Sequence, residues 1–274
     1  MAASLKDKIA DRAVFKRSAM FGGIELMTAR FFDHAFAPHT HDELMIGAIF
    51  AGVKAFRLER QVHLSGPGSL SIVNPGEMHT GERRHGSQLI YAALYVPRVA
   101  LEHVLQTANA GGRSLSQSVI KDDEVSRTII AAHAAMFAGR DDIEAEEFLV
   151  QGLQILYSRY GSAVVETERS SCPRSLAIAL AFLADNASSR VTLEDAARVA
   201  GIGPFHLIRL CRRHVGLTPH AYVTQVRVER AKRLLKSGTP AAHVALDVGF
   251  ADQAHFSKRF KQLTGTTPAH YAAA

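Results

Sequence analysis

Two groups of residues in this chain have the types and spacing for chemistry, and in both cases it is the chemistry of binding. The first comprises His39-Thr40-His41-Asp42-Glu43 and, further on, Asn74-Pro75-Gly76-Glu77-Met78-His79. Histidine beside carboxylate suits a metal ion, a small polar or anionic ligand, or mutual hydrogen bonds. Burying such groups with no partner is costly. If the first segment is a strand, His39 and His41 face one side and alternation turns Glu43 the same way. The Asn-Pro-Gly turn can carry Glu77 and His79 back towards them. The second group is cationic: Arg209, Arg212 and Arg213, then Lys258, Arg259 and Lys261. Apolar Leu207, Leu210 and Cys211, and then Phe256 and Phe260, are interleaved at helical spacing. Each set reads as a helix with one face on a core and a basic face towards a polyanion.

The elements that position the basic faces are written twice. Thr192–Pro219 and Thr239–Pro268 align, Ala197, Val199 and Gly201 with Ala245, Asp247 and Gly249. After one extra residue in the second turn, His206, Leu207, Arg209 and Pro219 match His255, Phe256, Lys258 and Pro268. Each copy predicts a short helix, a glycine turn and a second helix. Thr192 caps the first helix, with Asp195 completing a capping box. Thr239-Pro240 opens its counterpart. Gly201 and Gly249 end these helices where positive φ suits glycine. This is helix-turn-helix chemistry, in which the second helix enters the major groove of DNA. Between the copies, Tyr222–Leu235 reads as a long helix with Arg227, Arg230, Lys232 and Arg233 mostly outward.

Charge divides the chain in the same place. Residues 175–274 carry 13 Lys and Arg against 6 Asp and Glu, whereas residues 1–174 carry 19 against 20. Only the C-terminal part is built to meet a polyanion. No long apolar run and no leader at Met1–Ala10 point to a membrane or to export. Cys172 and Cys211 make no disulfide framework, so a cytoplasmic setting is expected.

Met1–Gly23 has no clear period. Residues 24–96 read as short strands broken by Gly and Pro: Leu44–Phe50, Val53–Leu64, Leu70–Val73 and Gln88–Val96, the pattern of a small barrel. From Pro97 the period becomes helical, at Val99–Ala108, Glu124–Phe137 and Ile143–Tyr160. Leu149, Leu153, Leu156 and Tyr160 form a seam that suits either a homodimer or packing within the domain. Val165–Arg174 is polar and aperiodic, an interdomain linker, and Leu176–Asn186 begins a helical domain. The fold class is therefore α+β in two domains. Residues 1–164 form a β-barrel with accessory helices. Residues 175–274 are all-α, with helix-turn-helix motifs at about 192–214 and 240–263.

Gly249–Tyr271 (G-F-A-D-Q-A-H-F-S-K-R-F-K-Q-L-T-G-T-T-P-A-H-Y), Pro204–Leu210 and Val226–Leu235 resemble the DNA-binding domain of AraC/XylS-type bacterial transcription regulators. The N-terminal half resembles the cupin sensor domain of the same family. The resemblance implies a regulator, most members being activators, that binds promoter DNA, contacts RNA polymerase if it activates, and answers to a small effector; the 143–160 seam makes a homodimer the expected assembly. It implies base reading by Phe205, Ile208 and Arg209 in one helix and by Gln253, His255, Ser257 and Lys258 in the other. Arg212, Arg213, Arg259 and Lys261 suit contacts to the phosphate backbone or are merely solvated. An effector site bordered by His39, His41, Glu43, Glu77 and His79 follows, with no cofactor and no catalytic residue. In metal-binding cupins a glutamate follows the second histidine. Here that position falls at Met45 or Ile46, which weighs against the alternative of a cupin metalloenzyme fused to a DNA-binding tail. A DNA-repair alkyl acceptor would need an activated cysteine, and neither Cys172 nor Cys211 has the setting for one.

Overall fold

The computed structural model describes residues 10–58, 61–84, 88–107, 113–140, 142–163 and 172–274. They form two compact units that part near residue 165. Most of the segment read as a linker lies outside the described residues, and its last residue, Arg174, already opens a helix.

In chain order residues 10–96 contain β1 (Arg12–Ser18), β2 (Ile24–Phe31), β3 (Ala35–His39), β4 (Leu44–Ala51), β5 (Lys54–Leu58), β6 (Gln61–Ser65), β7 (Leu70–Val73), β8 (His79–Arg83) and β9 (Leu89–Val96). Helix α1 (Arg98–Thr107), β10 (Arg113–Leu115), β11 (Val119–Ile120), α2 (Asp123–Phe137), α3 (Ile143–Tyr160) and β12 (Gly161–Ala163) follow. One sheet runs β1-β2-β9-β4-β7-β11, a second β3-β8-β5-β6, and β10 pairs with β12. The expected single strand Val53–Leu64 is instead a hairpin, with Lys54 opposite Ser65 and Leu58 opposite Gln61. Its signal was the polar interruption Glu59-Arg60-Gln61, which breaks the apolar alternation.

Alternation gives the six-stranded sheet two apolar faces. Leu26, Ile46 and Leu94 lie side by side in register and join the helices in one core. The opposite face carries Met27, Met45, Tyr91 and Tyr95, all but the half-buried Tyr95 fully buried. Leu149, Leu153 and Leu156 are wholly buried in the helix-side core. A Cβ on Gly152 of α3 would come within 2.8 Å of Ile129 Cδ1 on α2, so the two helices meet closely. The three leucines of the seam are thus consumed by packing within the domain, while Tyr160 at its end is half-buried. Helices α2 and α3 are capped by Asp122 and Asp142, whose carboxylates accept backbone N–H bonds.

The second unit is helical: α4 (Arg174–Asp185), α5 (Leu193–Val199), α6 (Pro204–Leu210), α7 (Pro219–Lys236), α8 (Ala241–Asp247), α9 (Gln253–Thr264) and α10 (Pro268–Ala272). Helix α6 runs on as a π turn, Cys211–Val215. Thr192 and Asp195 form the expected capping box. Gly201 (φ +67°) and Gly249 (φ +92°) take the left-handed conformation the turns require. The repeat extends further than its helices. Gly216 and Gly265 end the second helix of each copy with positive φ, and Thr218-Pro219 and Thr267-Pro268 then open the next helix with the same cap.

Two arginines expected to face outward do not. Arg227 donates to the carbonyls of Ala187 (2.7 Å) and Ser189 (3.3 Å), and Arg230 to that of Ala184 (2.6 Å) and to Ser188 Oγ (2.9 Å). They satisfy carbonyls left over at the C-terminal end of α4, where cations are favoured, and so pin α7 to it. Arg233 is exposed as expected, and Lys232 pairs with Glu229. Among the described residues no helix is long and apolar enough to cross a membrane.

Candidate nucleic-acid interface and effector site

The second helix of each helix-turn-helix copy is held by its buried stripe. Leu207 and Cys211 are fully buried with Leu176, Leu183 and Ala197 in the first copy. Burial pushes the Cys211 thiol up to about 11, so it is inert packing. In the second copy Phe250, Phe256, Phe260 and Tyr271 form a chain of ring contacts 5.3–5.6 Å apart. These anchors turn the other faces to solvent.

On α6, Phe205 is 83% exposed, Arg209 is exposed and Ile208 is half-buried. Arg209 lies 3.4 Å from His206 Nδ1, and Arg213 projects from the π turn. On α9, Gln253, His255 and Lys258 are exposed and Ser257 is half-buried. Asp252 caps the helix by accepting the His255 N–H (2.7 Å), and Arg259 donates to His255 Nε2 at 3.4 Å. Arg209, Arg213 and Lys258 have no carboxylate within 4.0 Å among the described residues, so their charge is available to a phosphate or a base edge. An exposed phenylalanine at the start of such a helix suits contact with sugar or a thymine methyl.

In the first unit the histidine cluster is partly assembled. Strand β3 ends at His39, so His41 sits in the turn before β4 and not on a continuing strand. The alternation expected of His39, His41 and Glu43 therefore does not apply. His39 meets the Ala37 carbonyl through Nδ1 (2.8 Å) and leans on Phe36. His41 and His79 do come together, ring centroids 4.8 Å apart and edge-on, and His41 also meets Tyr95 at 5.6 Å. The Nδ1 atoms of both donate to backbone carbonyls, of Glu43 (2.7 Å) and Glu77 (3.0 Å), which fixes the two rings. The half-buried Glu43 enters this geometry through its carbonyl. Glu77 accepts from the Asn74 backbone (2.9 Å) and side-chain amide (3.0 Å), so its carboxylate closes the turn. Asn74 in turn clamps Leu115 on β10. Among the described residues no group of three or more His, Cys, Asp or Glu side chains is placed to hold a metal ion.

A residue that sequence reasoning missed continues this polar surface. Lys54 on β5 is 5% exposed and reaches across to the other sheet, donating to Ser71 Oγ on β7 (3.2 Å). Its Nζ lies over the rings of Tyr91 (5.1 Å) and Phe56 (5.3 Å). No carboxylate is within 4.0 Å among the described residues, and burial lowers its pKa to about 7. The Tyr91 phenol is pushed well up by burial and by Tyr95, so it stays protonated. Tyr91 and Tyr95 share one face of β9, which links Lys54 to the His41–His79 pair.

Comparison with known proteins agrees with both halves. Residues 21–153 match the AraC-like ligand binding domain family, and residues 196–274 match a helix-turn-helix domain family. The chain is 27% identical over 222 residues to the uncharacterized HTH-type transcriptional regulator YbfI of Bacillus subtilis, covering 80% of this chain and 81% of that protein. It is 25% identical over 241 residues to the HTH-type transcriptional activator RhaS of Escherichia fergusonii, covering 85% and 86%. Its fold is shared with the crystal structure of ToxT from Vibrio cholerae O395, with a TM-score of 0.57 over 96% of this chain and 97% of that chain at 12% identity. A sensor-type barrel, a duplicated helix-turn-helix with open cationic faces, and matches to both over most of the chain lead to one conclusion: the protein belongs to the AraC/XylS family of transcriptional regulators.

Proposed function

We propose that the protein is a transcription activator whose DNA binding is governed by a small polar effector with an acidic group, held inside the N-terminal barrel. Lys54 is the observation that carries this reading. With a pKa lowered to about 7 the Lys54 amine is only partly protonated near neutral pH, and it has one hydroxyl partner, two aromatic faces and no carboxylate within 4.0 Å among the described residues; a ligand carboxylate supplies the counter-charge and holds the proton. The paired imidazoles of His41 and His79 and the Tyr95 ring then meet the ligand's other polar groups. An amino acid or a small aromatic acid has this composition. Activation follows if the effector binds two conformations of the protein unequally. The activator assignment is supported by the transcriptional activator RhaS, to which the chain aligns over 85% of its length. Promoter reading falls to Phe205, Ile208 and Arg209 and to Gln253, His255, Ser257 and Lys258, with Arg213 on the backbone. RNA polymerase is then the protein partner.

The test joins three measurements. A thermal-shift screen of amino acids, sugars and aromatic acids finds the effector, because a ligand that prefers the folded state raises Tm. Selection from genomic fragments recovers the operator. In vitro transcription with wild type, His41→Ala and His79→Ala then reads the response, which both variants should lose. Wild-type response in both variants places the pocket elsewhere, and lower transcription on adding effector makes the protein a repressor.

A further inference from the structure

A cavity lies on the far side of the same sheet, between β2, β9 and β4 and the helix α2 that covers them. Its volume is about 340 Å³, within the range of small-molecule sites. Its origin can be read from the strand register. Ala92 of β9 pairs with Thr28 of β2 on one side and Ala48 of β4 on the other, so three adjacent strands place small side chains in one row. The adjacent row on that face, Leu26, Leu94 and Ile46, fills the space that this row leaves open. A β-bulge then adds a wall. The register of β4 against β9 shifts between Ile49 and Ala51, and the extra residue, Phe50, lines the cavity while 48% exposed.

The walls are apolar except for two groups, Thr28 and His133, and no lining side chain carries a charge at neutral pH. His133 is 5% exposed, and its Nε2 lies 3.1 Å from the Met27 carbonyl. A carbonyl only accepts, so Nε2 carries the proton and Nδ1 is a bare acceptor. The ring stacks on Phe137 at 5.4 Å, which fixes its plane. Burial lowers the pKa of His133 to about 4, so the imidazole is neutral near pH 7. The site thus has almost wholly apolar walls, with the uncharged imidazole of His133 among them. Lys16 sits beside this wall, its ammonium 4.8 Å from the Phe137 ring centre and bonded to the Phe137 carbonyl (2.7 Å), but it is not among the lining residues, so the walls favour a neutral ring carrying one hydroxyl over a carboxylate.

We propose that this cavity is a second ligand site, separate from the barrel interior, which takes a neutral phenol-like molecule whose hydroxyl donates to His133 Nδ1. The proposal stands apart from the acidic effector, since the two sites lie on opposite faces of one sheet and differ in charge.

The probes are p-cresol and 4-propylphenol, their methyl ethers, which keep the shape and lose the donor, and p-toluate, which adds a charge. Titration calorimetry on the full-length protein should show the phenols binding, the ethers about tenfold weaker, and p-toluate not binding at this site. Ala92→Leu fills the row and should abolish phenol binding. Ala134→Leu narrows the mouth from an exposed helical position that accepts leucine, and it should weaken binding even if Ala92→Leu fails to fold. His41→Ala and Lys54→Met should leave phenol binding unchanged. Failure of both phenols to bind overturns the proposal. So does equal binding of phenol and ether, binding unaffected by both filling variants, or binding lost in His41→Ala.

Discussion

Lys54 and Ser71 join the two sheets of the barrel from inside: the ammonium of one strand meets the hydroxyl of another at 3.2 Å, and that hydroxyl bonds the Gly47 carbonyl at the same distance. Lys54 is a lysine where a barrel normally carries an apolar side chain, and it makes stability depend on pH. Its pKa is lowered from 10.5 in the unfolded chain to about 7 in the folded one. Between those values the unfolded chain holds the extra proton. Stability is therefore fullest above about pH 10.5, falls as pH drops towards 7, and is flat below.

Lys54→Met should raise the stability of the effector-free protein at pH 7 by about 2–4 kcal/mol and remove the dependence between pH 7 and 10. The same variant should lose its response to an acidic effector. Urea melts across that pH range, together with the effector titration, check both. A variant less stable than wild type at pH 7 would mean that the ammonium contributes more through Tyr91, Phe56 and Ser71 than its burial costs.

For the DNA interface, Lys258→Ala and Arg209→Ala should each weaken operator binding by about 1–3 kcal/mol while changing random-sequence binding little. Arg213→Ala should weaken both equally and lower the salt slope by about one unit. Fluorescence anisotropy on operator and scrambled DNA at several salt concentrations separates the two roles. Equal losses on both DNAs for Lys258→Ala would remove it from the readers.

Leu153→Glu places a carboxylate in the fully buried interface of α2 and α3. The expected result is loss of the N-terminal fold, at a cost of about 4 kcal/mol or more, and not a clean passage from dimer to monomer. Circular dichroism and sedimentation velocity on the same sample distinguish them. A folded, monomeric variant would restore the seam as an intermolecular one.

The two turn glycines should respond unequally to alanine. At Gly201 only the left-handed backbone resists, since a Cβ would meet nothing within 4 Å, and the cost should be about 1–2 kcal/mol. At Gly249 the Cβ would also lie 2.7 Å from the Ser188 carbonyl and 2.9 Å from that of Ala187, and the cost should reach about 3 kcal/mol or more. Thermal melts of the two variants, run side by side, rank them.

The C-terminal half was legible in the sequence because its determinants are local. Thr192 with Asp195, the glycines at 201 and 249, and the apolar stripe of Phe256 and Phe260 each act within a few residues. The N-terminal helices Glu124–Phe137 and Ile143–Tyr160 were legible for the same reason. The features of the barrel that depend on pairing were not. The row Thr28–Ala92–Ala48 exists only in the register of three strands far apart in the chain, and no local pattern sets that register. Lys54 was half visible, since it alternates in phase with the buried Phe56 and Leu58, but its charge reads as an outward residue until the opposite sheet is in place. Arg227 and Arg230 misled in the same way: basic residues on a helix read as solvent-facing, and only the end of α4 shows which carbonyls they serve.

The doubled Gly-x-Thr-Pro ending of the two helix-turn-helix copies has a consequence for the operator. A palindrome is the signature of two identical chains, each bringing one reading helix to its half-site. Here a single chain carries both helices, and the copies have drifted apart: one offers Phe205, Ile208 and Arg209 and continues into a π turn, the other offers Gln253, His255, Ser257 and Lys258 on an uninterrupted helix. Nothing then ties the two halves of the recognised sequence to each other by symmetry. Each half of the promoter element is free to change with its own helix, and the element acquires a direction, so that reversing it relative to the start of transcription presents the protein backwards.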